Sequence, residues 1–82
     1  MIMVDSVMRF RQLKVGSRAR VLRYQGLESR YRNRLMSLGL TPGTEFEVQH
    51  VAPLGDPIEI RVRGFHLSVR REEAGAIEVE LV

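Results

Sequence analysis

The fold of this chain is decided by Leu35-Met-Ser-Leu-Gly-Leu-Thr-Pro-Gly-Thr44, where a helical pattern ends and a strand pattern begins. Gly39 follows the last apolar residue of the helical pattern, at the position where helices often end in a left-handed conformation that glycine adopts without a Cβ clash. Leu35 and Leu40 would then make the hydrophobic contact of a Schellman motif. Residues 41–44 fit a type II turn, because proline favours its second position and glycine its third. The sequence therefore predicts a sharp corner between a helix and a sheet.

Ahead of this corner, four apolar residues recur at the spacing of one helix face: Leu27, Tyr31, Leu35 and Leu38. This spacing places them in a narrow stripe of an amphipathic helix, which we predict from Glu28 to Leu38. The other faces of the helix carry three arginines, which could bind phosphate but are more typical of a solvated surface.

Short segments that alternate between apolar and polar residues lie on both sides of the corner, separated by glycine and proline turns. They predict five β-strands, at residues 18–24, 44–51, 58–62, 65–70 and 76–82. In the second segment Phe46, Val48 and His50 are expected to share one face, and Phe65 is expected to point inward. This pattern favours a mainly β fold, a small five-stranded antiparallel barrel with one inserted α-helix.

The length of 82 residues limits the chain to one domain with a thin core. Residues 1–9 show no clear period and are interpreted as an N-terminal extension, so the domain is expected to cover residues 10–82. Cysteine is absent, which removes disulfides and thiolate chemistry and fits a reducing, cytosolic setting. We expect neither a signal peptide nor a membrane span. No nucleophile–base pair stands out, so we expect no enzymatic activity and no cofactor.

Charge is distributed unevenly along the chain. Residues 1–41 hold nine basic and two acidic side chains, whereas residues 42–82 hold four basic and eight acidic ones. A basic half suggests nucleic acid or an acidic partner. Alternatively, basic and acidic strands lie side by side and neutralise one another. We favour this second interpretation, in which Arg18 and Arg20 face Glu78 and Glu80.

Histidine provides the only hint of a metal site. His50 and His66 lie on different predicted strands and could approach each other, with Asp56 or Glu59 as a third ligand. Single histidines on strands are more often structural or solvated. Because a tight metal site needs several convergent ligands, we expect no metal site in this chain.

Three motifs, in this order, carry a resemblance to a known family: Arg34-Leu-Met-Ser-Leu-Gly-Leu-Thr-Pro-Gly43, Ala52-Pro-Leu-Gly-Asp-Pro-Ile58 and Val62-Arg-Gly-Phe-His-Leu-Ser-Val-Arg70. They resemble the FeoA family of small cytoplasmic proteins associated with the bacterial ferrous iron transporter FeoB. The resemblance implies an SH3-like barrel and a non-enzymatic accessory role through the cytoplasmic GTP-binding region of FeoB. The module is also similar to the C-terminal domain of metal-dependent repressors of the diphtheria toxin repressor type. A nucleic-acid-binding barrel and a metal-sensing module are the alternative functions.

A partner surface is expected because SH3-type barrels bind extended peptides in grooves between loops. The candidate groove joins the corner to the next loop and comprises Leu38, Gly39, Leu40, Pro53, Leu54, Gly55, Asp56 and Pro57. Leu54 is either held outward for a partner or caps the barrel. The expected partner is FeoB, and the sequence leaves open whether the chain also forms a homo-oligomer. We expect neither nucleic-acid binding nor direct insertion into a membrane.

Overall fold

The architecture is one antiparallel β-sheet with two short helices, in a computed structural model that describes residues 7–26 and 28–82. The helices are α1 (Ser29–Ser37) and α2 (Arg71–Ala74), and a 3₁₀ turn covers Phe10–Gln12. The strands are β1 (Val7–Arg9), β2 (Arg18–Tyr24), β3 (Glu45–Val51), β4 (Ile58–Val62), β5 (Phe65–Val69) and β6 (Ile77–Leu81). Within the described residues the strand order is β1-β6-β2-β3-β4-β5, so β1 and β5 are the edges of the sheet.

The predicted mainly β, antiparallel class is confirmed, but the described sheet has six strands rather than five. The additional strand is β1, which pairs with β6 and places Val7 opposite Glu80 and Arg9 opposite Glu78. A strand of three residues is too short to show an alternating pattern, and its partner lies at the far end of the sequence. The rest of the predicted extension, residues 1–6, lies outside the described residues.

The core combines inward-facing strand residues with Phe10, Leu35 and Leu40 from the connecting segments. Phe10 stacks on Phe46 of β3, with the ring centroids 5.0 Å apart. The 3₁₀ turn therefore covers one end of the sheet. The buried side chain of Leu35 packs α1 against the core. Full burial of a side chain of this size contributes about 1.5–3 kcal/mol to stability.

The corner has the predicted geometry. Gly39 has a φ of +103° and Gly43 a φ of +91°. The Leu40 N–H donates to the Leu35 carbonyl and the Gly39 N–H to the Met36 carbonyl, each at 3.0 Å, which is the hydrogen-bond pattern of a Schellman motif. Because the motif turns the chain sharply, Leu40 points directly into the core.

Two side chains do not lie where the alternating pattern predicts. The register of β3 and β4 shifts between Val48 and His50, and this bulge leaves His50 exposed and turns Val51 toward the core. Phe65 shares the inner row of β5 with Leu67, yet 41% of its surface is exposed. It lies at the end of the sheet beside Gly39, a residue with no side chain to cover the ring.

Candidate partner-binding surface

Leu54 is held outward by a hydrogen-bonded loop between β3 and β4. The Gly55 N–H donates to the Ala52 carbonyl at 2.7 Å, and the Ala52 N–H donates to the Pro57 carbonyl at 3.1 Å. Gly55 has a φ of +82°, which favours glycine at the end of this turn. The Leu54 side chain is 88% exposed, so it does not cap the barrel. An apolar side chain on such a tethered loop is suited to contact a partner.

An open cleft of about 730 Å³ lies beside this loop, between α1 and the end of β5. Its lining residues come from both helices, from β5 and from the loop itself: Tyr31, Arg34, Asp56, Pro57, Ser68, Arg70 and Glu73. Polar and apolar atoms line the cleft in nearly equal measure, and it opens to solvent. Such a cleft can bind a segment of another chain but lacks the enclosed apolar pocket typical of small-molecule sites.

Glu73 joins the two helices at this cleft. Its side chain is buried, and both carboxylate oxygens accept a hydrogen bond from Arg34 Nη2 at 3.0 Å. The carboxylate also accepts the backbone N–H of Arg70 at 3.0 Å. A buried carboxylate needs such partners, because an uncompensated charge away from water is strongly unfavourable. Glu73 therefore links α1 to α2 and to the residue that follows β5.

Tyr24 lies near the same buried charge. Its hydroxyl donates to the Leu40 carbonyl at 2.6 Å, which ties β2 to the corner. Burial, together with the nearby negative charge of Glu73, raises the pKa of Tyr24 to about 12. The tyrosine is thus a neutral hydrogen-bond donor at physiological pH, with a structural role at the corner.

The predicted groove is not formed as one surface. Leu40 is fully buried in the core, so it cannot line a partner surface, and Leu38 is only partly exposed. Gly39 lies against Arg63 and Phe65, at the end of β4 where the hairpin turns. Residues 53–57 precede the other end of β4. A strand of five residues is about 16 Å long, so the two parts of the predicted groove are separated by about the length of β4.

The sequence analysis missed most of the cleft. Ser68, Arg70 and Glu73 had been assigned only to a strand and to a short connection, and no local pattern marks their proximity to α1. Phe65 was missed as a surface residue for a different reason. Phe65 lies two residues before Leu67, and this spacing indicates that both side chains are on the inner face of β5. Only the tertiary structure, in which the ring lies beside Gly39, shows that the ring stays partly exposed.

The metal candidates do not converge. His50 pairs with Glu59 of β4, whereas His66 of β5 pairs with Arg61, so β4 runs between the two histidines. Asp56 lies in the loop before β4, where its Oδ1 accepts the backbone N–H of Arg71 at 3.0 Å. Among residues 7–26 and 28–82, no three His, Asp or Glu side chains are arranged to hold a metal ion.

The outer face of the sheet is a ladder of ion pairs, as the interpretation of neutralising strands predicted. The pairs are Arg18–Glu45, Arg20–Glu45, Arg20–Glu80, Arg23–Glu78 and Arg61–Glu47. Arg20 faces Glu80 as expected, but Arg18 contacts Glu45 instead of Glu78. In this antiparallel register Arg18 lies beside Val82, and Glu78 pairs with Arg23. Paired arginines on this face leave little unbalanced positive charge for nucleic acid.

No helix in the part of the chain that the structure describes is long and apolar enough to span a bilayer.

Comparisons with known proteins agree on one family. The family model of the FeoA domain matches residues 8–81. A curated relative from Porphyromonas gingivalis, an Fe(2+) transport protein A/Fe(2+) transporter FeoB fusion protein, is 37% identical over 75 residues. That match covers 92% of this chain but only 9% of the fusion protein.

Solved structures show the same relationship. The solution structure of FeoA from Chlorobium tepidum is 44% identical, with a TM-score of 0.85 over 92% of this chain and 70% of that one. FeoA from Stenotrophomonas maltophilia, crystallised with zinc and described as an SH3 domain protein, is 26% identical, with a TM-score of 0.75 over 89% of each chain. The fold alone is shared with IdeR from T. acidophilum, which is 23% identical over 37% of its length, with a TM-score of 0.85.

Proposed function

This chain belongs to the FeoA family, and on that basis we propose that it is a cytoplasmic accessory protein of ferrous iron uptake that binds the cytoplasmic GTP-binding region of an FeoB-type transporter. The observation that carries the proposal is the 37% identical relative in which an FeoA segment and FeoB are parts of one fusion protein. Covalent linkage gives two domains a high effective concentration for each other, which favours functions performed in direct contact. The partner in this proposal is therefore the transporter, and the chain acts by binding and not by catalysis.

The Leu54 loop is the proposed contact. Leu54 is 88% exposed on a loop closed by two backbone hydrogen bonds, so little conformational freedom is lost when a partner covers it. Pro53, Asp56 and Pro57 complete this surface beside the cleft. An exposed apolar anchor surrounded by polar groups is the usual composition of a small binding hot spot.

The test is to replace Leu54 by aspartate and to measure association with the FeoB cytoplasmic region. The substitution places a charge in a desolvated contact, so we expect binding to weaken by about 2 kcal/mol or more. Folding should change by less than about 0.5 kcal/mol, because the side chain is exposed. Val15→Asp is a matched control, since Val15 is also an apolar loop residue and is 61% exposed.

Ferrous iron uptake in cells that lack the wild-type protein is the second readout. Leu54→Asp should fail to restore uptake, whereas Val15→Asp should restore it. A folded Leu54→Asp protein that binds and supports uptake like the wild type would show that the loop is not the contact. Absence of binding between the wild-type protein and the FeoB cytoplasmic region would refute the proposed function itself.

A further inference from the structure

Among residues 7–26 and 28–82, strand β5 is an edge of the sheet, and no described strand pairs with its outer side. Its inner side pairs with β4 through a hairpin whose two-residue turn, Arg63-Gly64, has positive φ at both positions. In such a hairpin the residues that flank the turn form a hydrogen-bonded pair, and the pairs alternate from there. Residues 65, 67 and 69 therefore bond to β4, and the N–H and C=O groups of His66 and Ser68 point away from the sheet.

This edge lacks the usual protection against strand addition. Natural edge strands are commonly blocked by proline, by charged side chains, by a bulge or by a covering helix or loop. Helix α1 lies across the cleft from β5 and leaves His66 and Ser68 exposed. The sequence Phe65-His-Leu-Ser-Val69 has no proline, lysine, arginine or acidic residue, and its pairing with β4 has no register shift. His66 and Ser68 are both exposed, and Ser68 lines the cleft. The cleft is therefore open along the unpaired side of β5.

Positively charged side chains at the two ends of β5 determine which kind of peptide segment can pair with this strand. Arg63 precedes the strand and Arg70 follows it, and neither forms an ion pair among the described residues. Arg34 of the same cleft is already neutralised by Glu73, and Asp56 accepts the backbone N–H of Arg71. An incoming strand with acidic side chains could pair with Arg63 and Arg70, while a basic one would be repelled by them.

A second copy of the chain fits this edge less well. Antiparallel pairing of two β5 strands about Leu67 would match His66 with Ser68 of the other copy, and it is the register that pairs both free residues of each strand within β5. The same register would place Arg71 opposite Arg63 of the other copy and Arg70 opposite Gly64. Like charges directly opposite each other destabilise a strand pair.

We propose that β5 binds an acidic segment of the transporter's cytoplasmic region in extended conformation, which adds to the six described strands along this edge. The inference rests on the proposed function and specifies how the partner is bound. The free groups of His66 and Ser68 supply the main-chain hydrogen bonds, and the five residues of β5 offer a length of about 17 Å. Phe65 is available for an apolar contact at one end and the Leu54 loop at the other.

Ser68→Pro tests the backbone contacts. Proline removes the outward N–H of residue 68 and places its ring against an incoming strand, but no bond to β4 is lost, so the fold should be retained. We expect binding of the FeoB cytoplasmic region to fall by more than about tenfold. Ser68→Ala, which keeps the N–H, should bind like the wild type. If Ser68→Pro binds normally while the wild type also binds, the strand-addition mode is wrong and the proposed function stands.

Hydrogen exchange on the wild-type complex gives an answer that does not depend on any variant. The amides of His66 and Ser68 should gain protection when the FeoB cytoplasmic region is added, whereas the Leu67 amide is protected beforehand by β4. Unchanged exchange at both residues in a formed complex would overturn the inference even if Ser68→Pro failed to fold.

Arg70→Glu tests the predicted charge of the segment. Binding should weaken by more than about threefold at low salt, and the difference from the wild type should shrink as salt is added. Arg71→Glu is the matched control, because Arg71 lines a different cleft with Arg11 and Glu72. Equal effects of the two variants would contradict an acidic segment on β5.

Sedimentation showing a wild-type dimer that Ser68→Pro dissociates would identify a second copy as the occupant and refute the proposal.

Discussion

Replacement of Gly39 by alanine is the most direct test of the corner that organises this fold. Gly39 has a φ of +103°, in the left-handed half of conformational space where a residue with a Cβ is strained by about 1–2 kcal/mol. An added Cβ would also lie 3.2 Å from Arg63 Cδ and 3.7 Å from Phe65 Cζ. Arg63 is exposed and its side chain can move, so the backbone strain should dominate the loss.

We therefore expect Gly39→Ala to lower the free energy of unfolding by about 1–2 kcal/mol. For a domain of this size each kcal/mol corresponds to a fall in Tm of about 4–8 °C. The assay is urea denaturation followed by far-UV circular dichroism, with the midpoint and the slope fitted separately. An unchanged slope would show that the unfolded state is unaffected.

Two further glycines provide controls of the same chemical change. Gly43 has a φ of +91° with no atom within 4 Å of an added Cβ, so Gly43→Ala should show the backbone cost alone. Gly75 has a φ of −69°, and alanine there should be neutral or slightly stabilising. If Gly39→Ala unfolds at the same urea concentration as Gly75→Ala, the left-handed cap does not hold the corner.

Two other predictions concern titration and metal binding. Because the folded pKa of Tyr24 is about 12, above its unfolded value near 10, the stability it contributes is complete below pH 10 and is lost as the pH rises to about 12. Urea midpoints measured from pH 9 to pH 12 should fall less steeply for Tyr24→Phe than for the wild type, and parallel curves would contradict the assignment. Anaerobic calorimetry at neutral pH should detect no submicromolar Fe²⁺ site. Stoichiometric binding that disappears in the His50→Ala, His66→Ala double variant would show that a metal site exists.

The local features of this protein could be predicted because their causes are local. Gly39 and Gly43 were assigned correctly from the residues next to them, since a helix cap and a β-turn each involve only a few consecutive residues. Helix α1 was predicted from Glu28 to Leu38 and is observed at Ser29–Ser37, because apolar spacing reports which face is buried. For Leu54 the sequence left two alternatives open, and the structure shows the side chain exposed.

The errors have long-range causes. Alternation places His50 inward, but pairing with β4 introduces a bulge that no local pattern encodes. The three-residue strand β1 exists because β6 offers it an edge. The predicted groove is divided between two ends of β4, because sequence proximity to a corner does not show which end of the strand that corner meets. Leu40 is buried in the core and cannot line a surface.

The sequence by itself determined five of the six described strands, the main helix, the corner and the family, because period, turn chemistry and motif order are properties of the chain. Only the tertiary structure decided that α1 lies beside the free edge of β5 and that Glu73 joins the two helices. The same holds for the ion pairs that neutralise the outer face of the sheet. Contacts between residues far apart in sequence depend on strand register and packing geometry, and the candidate binding surface consists almost entirely of such contacts.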